Sequence, residues 1–195
     1  MSAEPHALIQ FIHSSGLVSP ATTVAIAAQF YAVSFPRGAF VLKEGKMCNE
    51  YFFLEQGFMR AFAIDNDGAE ITTSFYGSGQ VVFEVDSFFN RTASRENIQT
   101  LTDCAAWVIS YEGLNGLFHS LPEFREFGRY ILVKGFAALK GRMLGMITED
   151  AETRYAALVK HHPEILQHAP LKQIATYLGV TDTSLSRIRK GFASK

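Results

Sequence analysis

Two cations near the end of the chain have the types and the spacing to contact a nucleic acid. Arg187 and Lys190 lie three residues apart within GVTDTSLSRIRKGFASK, which runs from Gly179 to Lys195. If this stretch is helical, Thr183, Arg187 and Lys190 share one face and Ser186 lies on its flank. A guanidinium can donate two hydrogen bonds to guanine in the major groove, whereas an ammonium suits a phosphate. The pattern therefore indicates a DNA-contacting helix.

The opposite face of the same helix and the residues before it predict a helix-turn-helix. Leu171 to Leu178 has the pattern of a short helix, and Gly179 can adopt the left-handed conformation that ends one. Thr181 can cap the next helix by accepting a hydrogen bond from the Ser184 N–H. Residues at i, i+3 and i+7 of that helix form an apolar stripe that we expect to be buried, namely Leu185, Ile188 and Phe192.

Charge is distributed unevenly along the chain, although the formal net charge is −1. Residues 154–195 carry seven Lys and Arg against two acids, and residues 1–153 carry 11 basic against 17 acidic residues. A basic module on an acidic body suits DNA binding by one part of the chain, because phosphate neutralisation is local.

The sequence gives little reason to expect catalysis. A metal-dependent dioxygenase needs two or three histidines and a carboxylate inside a barrel, and no histidine falls within the predicted strands. No GxSxG, HExxH or Walker-type loop occurs, and Glu84 and Asp86 are interpreted as loop residues without a partner base. We expect no enzyme and no metal site; the six histidines are His6, His13, His119, His161, His162 and His168.

Composition predicts a folded intracellular chain. Its 195 residues are 48% hydrophobic and 19% charged, which suffices for one large core and a smaller module. We expect neither a signal peptide nor a membrane span, and hence a cytoplasmic location. Cys48 and Cys104 are interpreted as small buried hydrophobic residues.

Short aromatic and β-branched runs separated by turn residues predict an antiparallel β-roll or jelly roll. Ser19-Pro20 predicts the start of a helix that runs to about Phe30, after a weaker helix from Ala7 to His13. The Asp67-Gly68 pair indicates a hairpin turn. The predicted strand regions are Gly38–Lys46, Tyr51–Tyr76, Gly79–Val85 and Asn97–Ser110.

A helix over residues 123–147 has a seam of large apolar residues. The seam residues recur at steps of four and three, as in a coiled coil. We expect this seam to pair with a second copy of the chain; the alternative is packing against its own barrel. Another helix should begin near Glu149 and Asp150 and end before Pro163. The predicted dimer residues are Leu132, Phe136, Leu139, Met143 and Met146.

From about Phe35 to Phe192 the chain resembles the Crp/Fnr superfamily of transcription regulators, especially its short bacterial branch. The resemblance is carried by IATYLGVTDTSLSRIRK (Ile174–Lys190), KEGK, YFFLEQGFMRAF, DNDGAEIT and EDAETRYAALVKHHPEIL. It implies a cyclic-nucleotide-binding-type β-roll, a dimerisation helix and a helix-turn-helix that reads DNA as a two-fold dimer. The residues that match the family's base-reading positions are Asp182, Thr183 and Arg187. The expected DNA-contacting set is Thr181, Asp182, Thr183, Ser186, Arg187 and Lys190.

Two departures from the family pattern bear on function. The family's phosphate-binding cassette has Gly-Glu and, about ten residues later, Arg-Ser or Arg-Thr, where this chain has Phe83-Glu84 and Ser94-Arg95. We therefore expect no binding of cyclic AMP or cyclic GMP through the usual cassette, unless Arg91 or Arg95 supplies the cation. The chain also leaves no room for a C-terminal wing, so we expect fewer phosphate contacts.

The expected architecture is an α+β chain in three parts. Residues 1–121 form a β-roll sensor, 122–148 a dimerisation helix and 149–195 a wingless helix-turn-helix domain. Expected partners are double-stranded DNA, a second copy of the chain and RNA polymerase, with no membrane; no cofactor is expected and the effector is left open. The alternative is a sensor or interaction protein whose helix-turn-helix no longer binds DNA.

Overall fold

The predicted α+β architecture is confirmed by the computed structural model, which describes residues 5–193. Within that part of the chain, eight antiparallel strands form two four-stranded sheets of order β1-β8-β3-β6 and β2-β7-β4-β5. The strands are β1 (Tyr31–Phe35), β2 (Phe40–Leu42), β3 (Glu50–Gln56), β4 (Met59–Ile64), β5 (Glu70–Tyr76), β6 (Gln80–Val82), β7 (Asn97–Thr100) and β8 (Cys104–Ser110).

Two helices precede the β-roll, one short helix lies between β6 and β7, and the others follow the roll to the end of the described chain. They are α1 (His6–His13), α2 (Pro20–Ala27), α3 (Val85–Asn90), α4 (Tyr111–Ser120), α5 (Pro122–Thr148), α6 (Ala151–His161), α7 (Pro163–His168), α8 (Leu171–Tyr177) and α9 (Asp182–Ala193). Residues 1–4 and 194–195, which belong to the first and third predicted domains, lie outside the described residues. Both the three-part division and the expected absence of a wing stay predictions.

One apolar core fills the space between the two sheets. Phe52 and Leu54 of β3 and Met59 and Ala61 of β4 point into it, and each is at most 3% exposed. Strand β4 lies between β5 and β7, where Ala61 is opposite both Ser74 and Ile98. Burial is continuous rather than alternating along the middle of β3 and the first four residues of β4, so both faces of these strands are covered.

Two local predictions are wrong. The helix that begins at Pro20 ends at Ala27, and the chain then forms strand β1, which pairs with β8. The run through Val85 was expected to be all strand, yet α3 begins there. Glu84 caps α3 by accepting hydrogen bonds from the N–H groups of Asp86 (3.1 Å) and Ser87 (2.7 Å). Glu84 is therefore a helix cap, and Asp86 lies in the first turn of a helix rather than in a loop.

A second, smaller core joins the C-terminal helices to the β-roll. Tyr155, Leu158, Ile174 and Leu185 are buried in it, and Phe58, from the turn between β3 and β4, packs with them. The backbone N–H of Thr72 on β5 also donates to the hydroxyl of Thr176 on α8, at 3.1 Å. The C-terminal helices thus lie against β5 in this structure.

Candidate nucleic-acid interface and effector pocket

The turn between α8 and α9 has the geometry that the sequence predicts. Gly179 has a φ of +69°, and the next N–H, that of Val180, donates to the Ala175 carbonyl at 2.9 Å. Thr181 accepts a hydrogen bond from the Ser184 N–H at 3.2 Å and so caps α9. Glycine is required here because other residues are strained at positive φ. These contacts set the angle at which α9 leaves α8.

Helix α9 buries only the first part of its predicted apolar stripe. Leu185 is fully buried and Ile188 is half-buried against the second core. Phe192 was expected to be buried but is 39% exposed, and its ring lies edge-on to Tyr155 at a centroid distance of 5.3 Å. The last turn of α9 therefore has fewer tertiary contacts than its first two turns.

The side chains expected to contact DNA lie on the exposed side of α9 and at its start. Each of the six is exposed; three of them, Thr183, Arg187 and Lys190, face away from Leu185, and the others lie at the start of the helix or on its flank. An acid, Asp182, lies in the first turn, where it suits the helix dipole. The exposed residues are Thr181, Asp182, Thr183, Ser186, Arg187 and Lys190.

Two arginines that sequence reasoning missed hold the C-terminal helices in place. Arg142 of α5 donates to the carbonyls of Thr73 (2.6 Å) and Tyr177 (3.1 Å). Arg154 of α6 donates from Nε (3.2 Å) and Nη2 (3.0 Å) to the carbonyl of Leu178. The only signal in the sequence is a cation on the face of a helix next to an apolar seam. Together the two side chains fix the end of α8 just before Gly179.

The apolar seam of α5 is exposed along a single chain. Phe136 is 68% exposed and Leu139 62% exposed, so the seam does not pack against its own β-roll. Val133, Leu144 and Ile147 add to this exposed apolar surface. The other three seam residues are Leu132 (40% exposed), Met143 (50%) and Met146 (40%).

The residues in the place of the phosphate-binding cassette serve the fold. Phe83 lies in an aromatic cluster, with its ring centroid 4.8 Å from that of Tyr51 and 5.6 Å from that of Phe88. Ser94 is buried, and its hydroxyl donates to the Glu96 carbonyl at 2.8 Å and accepts from the Glu96 N–H at 3.1 Å. The Ser94 hydroxyl is thus occupied within its own turn.

Neither nearby arginine points a free cation into the roll. Arg91 adopts the left-handed conformation with a φ of 57° and donates to the Cys48 carbonyl at 3.1 Å. Its guanidinium also bonds Asn49 and lies over the Tyr111 ring, 4.0 Å from its centroid. Arg95 is exposed. Among the four candidate pocket residues, Arg95 faces solvent. The other three make contacts within the fold: Phe83, Glu84 and Ser94.

Residues 32–120 match the family described as the cyclic nucleotide-binding domain. The matched stretch is 89 of the chain's 195 residues. A curated relative, the CRP-like protein Clp of Xanthomonas campestris pv. campestris (strain B100), is 27% identical over 86 residues. Those residues are 44% of this chain but only 37% of the relative's length, so the match covers little more than a third of that protein.

Solved structures extend the likeness beyond the cyclic nucleotide-binding domain. The c-di-GMP responsive regulator CLP of Xanthomonas campestris superposes with a TM-score of 0.70 at 20% identity, covering 89% of this chain and 92% of that one. A regulator of the Crp/Fnr family from Eubacterium rectale gives a TM-score of 0.73 at 14% identity, covering 95% and 88% of the two chains. The chain has the Crp/Fnr fold, and the resemblance seen in its sequence is confirmed.

Within the β-roll, two half-buried acids, Glu84 and Glu96, lie near the residues in the cassette positions. Burial raises the pKa of Glu96, and the nearby charge of Glu84 raises it further, while Arg142 acts in the opposite direction. Burial also raises the pKa of Tyr76, with Glu96 and Glu84 adding to the effect. The negative charge of these acids opposes the binding of a buried anion.

Neither the two cysteines nor any cluster of metal-ligating side chains adds a site among the described residues. Cys48 and Cys104 are each 3% exposed and unpaired, which confirms them as small buried residues, and burial raises the pKa of both thiols. Residues 5–193 contain no group of three or more His, Cys, Asp or Glu side chains placed to bind a metal ion. None of the described helices is both long and apolar enough to span a bilayer.

Proposed function

We propose that this chain is a homodimeric transcription regulator that binds double-stranded DNA. The observation that carries the proposal is the α8–Gly179–α9 unit, whose second helix buries Leu185 and leaves Thr183 and Arg187 exposed on the opposite face. A recognition helix needs this division, because one face anchors it while the other reaches base edges. The basic charge of residues 154–195 supports attraction to phosphate.

Dimerisation through α5 is part of the proposal. An exposed seam of five large apolar side chains is costly in water, and pairing two copies about a two-fold axis would bury both seams. Two copies of α9 would then reach successive major grooves about 34 Å apart on a palindromic operator. RNA polymerase is the proposed partner at the promoter.

The β-roll is proposed to sense an effector other than cyclic AMP or cyclic GMP bound in the usual way. Phe83 replaces the glycine that lets the backbone approach the ligand, and Ser94 replaces the arginine that pairs with its phosphate. The solved neighbour from Xanthomonas campestris is described as c-di-GMP responsive, so cyclic di-GMP should be tested beside the two mononucleotides.

Fluorescence anisotropy with labelled genomic fragments tests the DNA-binding function. We expect selected fragments to bind with an affinity that falls steeply with salt, and the Arg187→Ala/Lys190→Ala double variant to lose most of it. Lys43→Ala is the control, since Lys43 is an exposed cation on the β-roll. Binding that is absent or independent of salt would favour the non-DNA-binding sensor instead.

A further inference from the structure

A cavity of about 330 Å³ lies where α5, α6 and α8 meet, outside the β-roll. Its lining includes Gly141 and Arg142 of α5, Arg154 and Leu158 of α6, and Tyr177 of α8. Gly141 lies about 160° around α5 from Leu139, at 100° per residue. The lining contains no residue of the β-roll, so the cavity is distinct from the nucleotide pocket of the fold, and it borders the apolar seam at Met146.

Positive charge dominates the cavity. Among the described residues, neither Arg142 nor Arg154 has a carboxylate within ion-pair distance; both donate to neutral backbone carbonyls instead. A guanidinium carries five N–H groups, so both side chains keep donors beyond those already used. One carboxylate, that of Glu149, also lines the cavity. The lining itself is net positive, because it has two partly buried guanidiniums against one exposed acid. Two acids outside the lining reduce this charge: Glu96 acts on Arg142 and Asp150 on Arg154.

Two glycines keep the α5 wall of this cavity open. A Cβ built at Gly141 would meet no atom within 4 Å, and one built at Gly145 would come within 3.1 Å of the Glu149 carboxylate. Glycine weakens a helix interior relative to alanine. Here it leaves room between α5 and α6, and the remaining wall is largely apolar, with Met146, Leu158 and Leu178.

We propose that this cavity binds a small organic anion. Its acidic group would bond the free N–H groups of Arg142 and Arg154, and its apolar body would pack on Met146 and Leu158. A volume of about 330 Å³ falls at the lower end of small-molecule sites, which are mostly apolar with a few convergent polar groups. The site itself does not depend on DNA binding.

Occupancy would act on the turn before α9. Arg142 and Arg154 hold the carbonyls of Tyr177 and Leu178, the two residues that precede Gly179. An anion that drew these guanidiniums into the cavity would weaken those hydrogen bonds and alter how α9 is held. This consequence rests on the proposed DNA-binding function, whereas the binding test below does not.

Dye binding to the full-length protein tests the site. The probe is 8-anilinonaphthalene-1-sulfonate, an organic anion, and its uncharged analogue N-phenyl-1-naphthylamine shares the ring system. We expect saturable binding of the sulfonate at one site per chain, and at least tenfold weaker binding of the neutral analogue at that site. Gly141→Leu fills the cavity and should weaken sulfonate binding at least tenfold.

Matched variants separate the cavity from other surfaces. Gly116→Leu adds the same side chain at an exposed helical glycine of α4 with nothing within 4 Å, and should leave affinity within twofold of wild type. Arg154→Gln should weaken binding about tenfold, and Lys140→Gln, which removes an exposed charge from α5, should not. Unchanged affinity in Gly141→Leu would overturn the site. Equal affinity for the two dyes, lost together in Gly141→Leu, would overturn its preference for anions.

Discussion

Arg187 and Lys190 share an exposed face of α9 but differ in position and in hydrogen-bonding geometry. Arg187 lies closer to the start of the helix, the part that enters the major groove in helix-turn-helix proteins. Its planar fork can pair with one base, whereas the ammonium of Lys190 acts as a point charge. We therefore predict that Arg187 reads a base and that Lys190 contacts a phosphate.

Alanine at each position should give different binding signatures. Arg187→Ala is expected to cost about 1–3 kcal/mol at the operator and to relax one base position. Lys190→Ala should weaken all sequences alike and lower the salt slope by about one. Anisotropy titrations against single-base operator variants at several salt concentrations measure both. Uniform weakening by Arg187→Ala would instead make Arg187 a phosphate contact.

Glu96 should make folding stability depend on pH. Because burial raises its pKa above the ordinary 4.5, the folded state binds this proton more tightly than the unfolded state does. The ionised form is thus destabilising at pH 7, and that penalty disappears as the pH falls below the ordinary value. Glu96→Gln should raise the melting temperature at pH 7 and change it little at pH 4.

The exposed acid Glu44 provides the control for this prediction. Glu44→Gln should leave the melting temperature unchanged at both pH values. A lower melting temperature for Glu96→Gln at pH 7 would mean that the ionised carboxylate stabilises the fold, and would contradict the direction given for its pKa.

At the scale of elements, α5 is the helix whose exposed surface most needs a partner. Leu139 lies in the middle of its seam and is 62% exposed in one chain. Burial of such a side chain contributes about 1.5–3 kcal/mol, and the seam contains several of them. A charge placed in the middle of the seam would be desolvated without a counter-ion.

Leu139→Asp should therefore convert the dimer into a monomer. Light scattering measures the mass in solution, and circular dichroism shows that the helices remain. Lys140→Asp places the same carboxylate on the neighbouring exposed position and should stay dimeric. A Leu139→Asp protein as dimeric as wild type would remove α5 from the interface.

Local signals predicted the elements that depend on neighbours in sequence. The seam period, the cap at Thr181 and the turn at Gly179 each require only nearby residues, and α5 and the helix-turn-helix follow them. Strand β1 was not predicted, because its five residues become a strand by pairing with β8, which lies 69 to 77 residues further along the chain. The start of α3 was not predicted, because Val85 continues an apolar run that is typical of a strand. The only local feature that favours a helix there is the cap at Glu84.

The junction at Arg142 and Arg154 shows why much of the candidate sites could not be predicted. Arg142 joins Thr73 and Tyr177, which lie 69 and 35 residues away along the chain. No periodicity or motif encodes such contacts, since they arise only once the C-terminal helices lie against β5. The exposed face of α9, by contrast, follows from helical geometry alone.

For the whole molecule, the β-roll retains its fold although the residues in the cassette positions differ. Glu84 and Glu96 place negative charge near the cassette positions, and Arg91 is engaged by the fold. Calorimetric titration with cyclic AMP and cyclic GMP should give no heat up to millimolar nucleotide. Micromolar binding that is abolished by Arg95→Ala would overturn this expectation and make Arg95 the phosphate ligand.

The central claim, a two-fold dimer on DNA, is tested most directly by the mass of the protein–DNA complex. The measurement is light scattering after size-exclusion chromatography, with a selected palindromic fragment at low and physiological salt. The account predicts two chains per duplex, and no complex of that mass with Leu139→Asp. One chain per duplex, or no complex with any fragment that the cell's genome supplies, would contradict it.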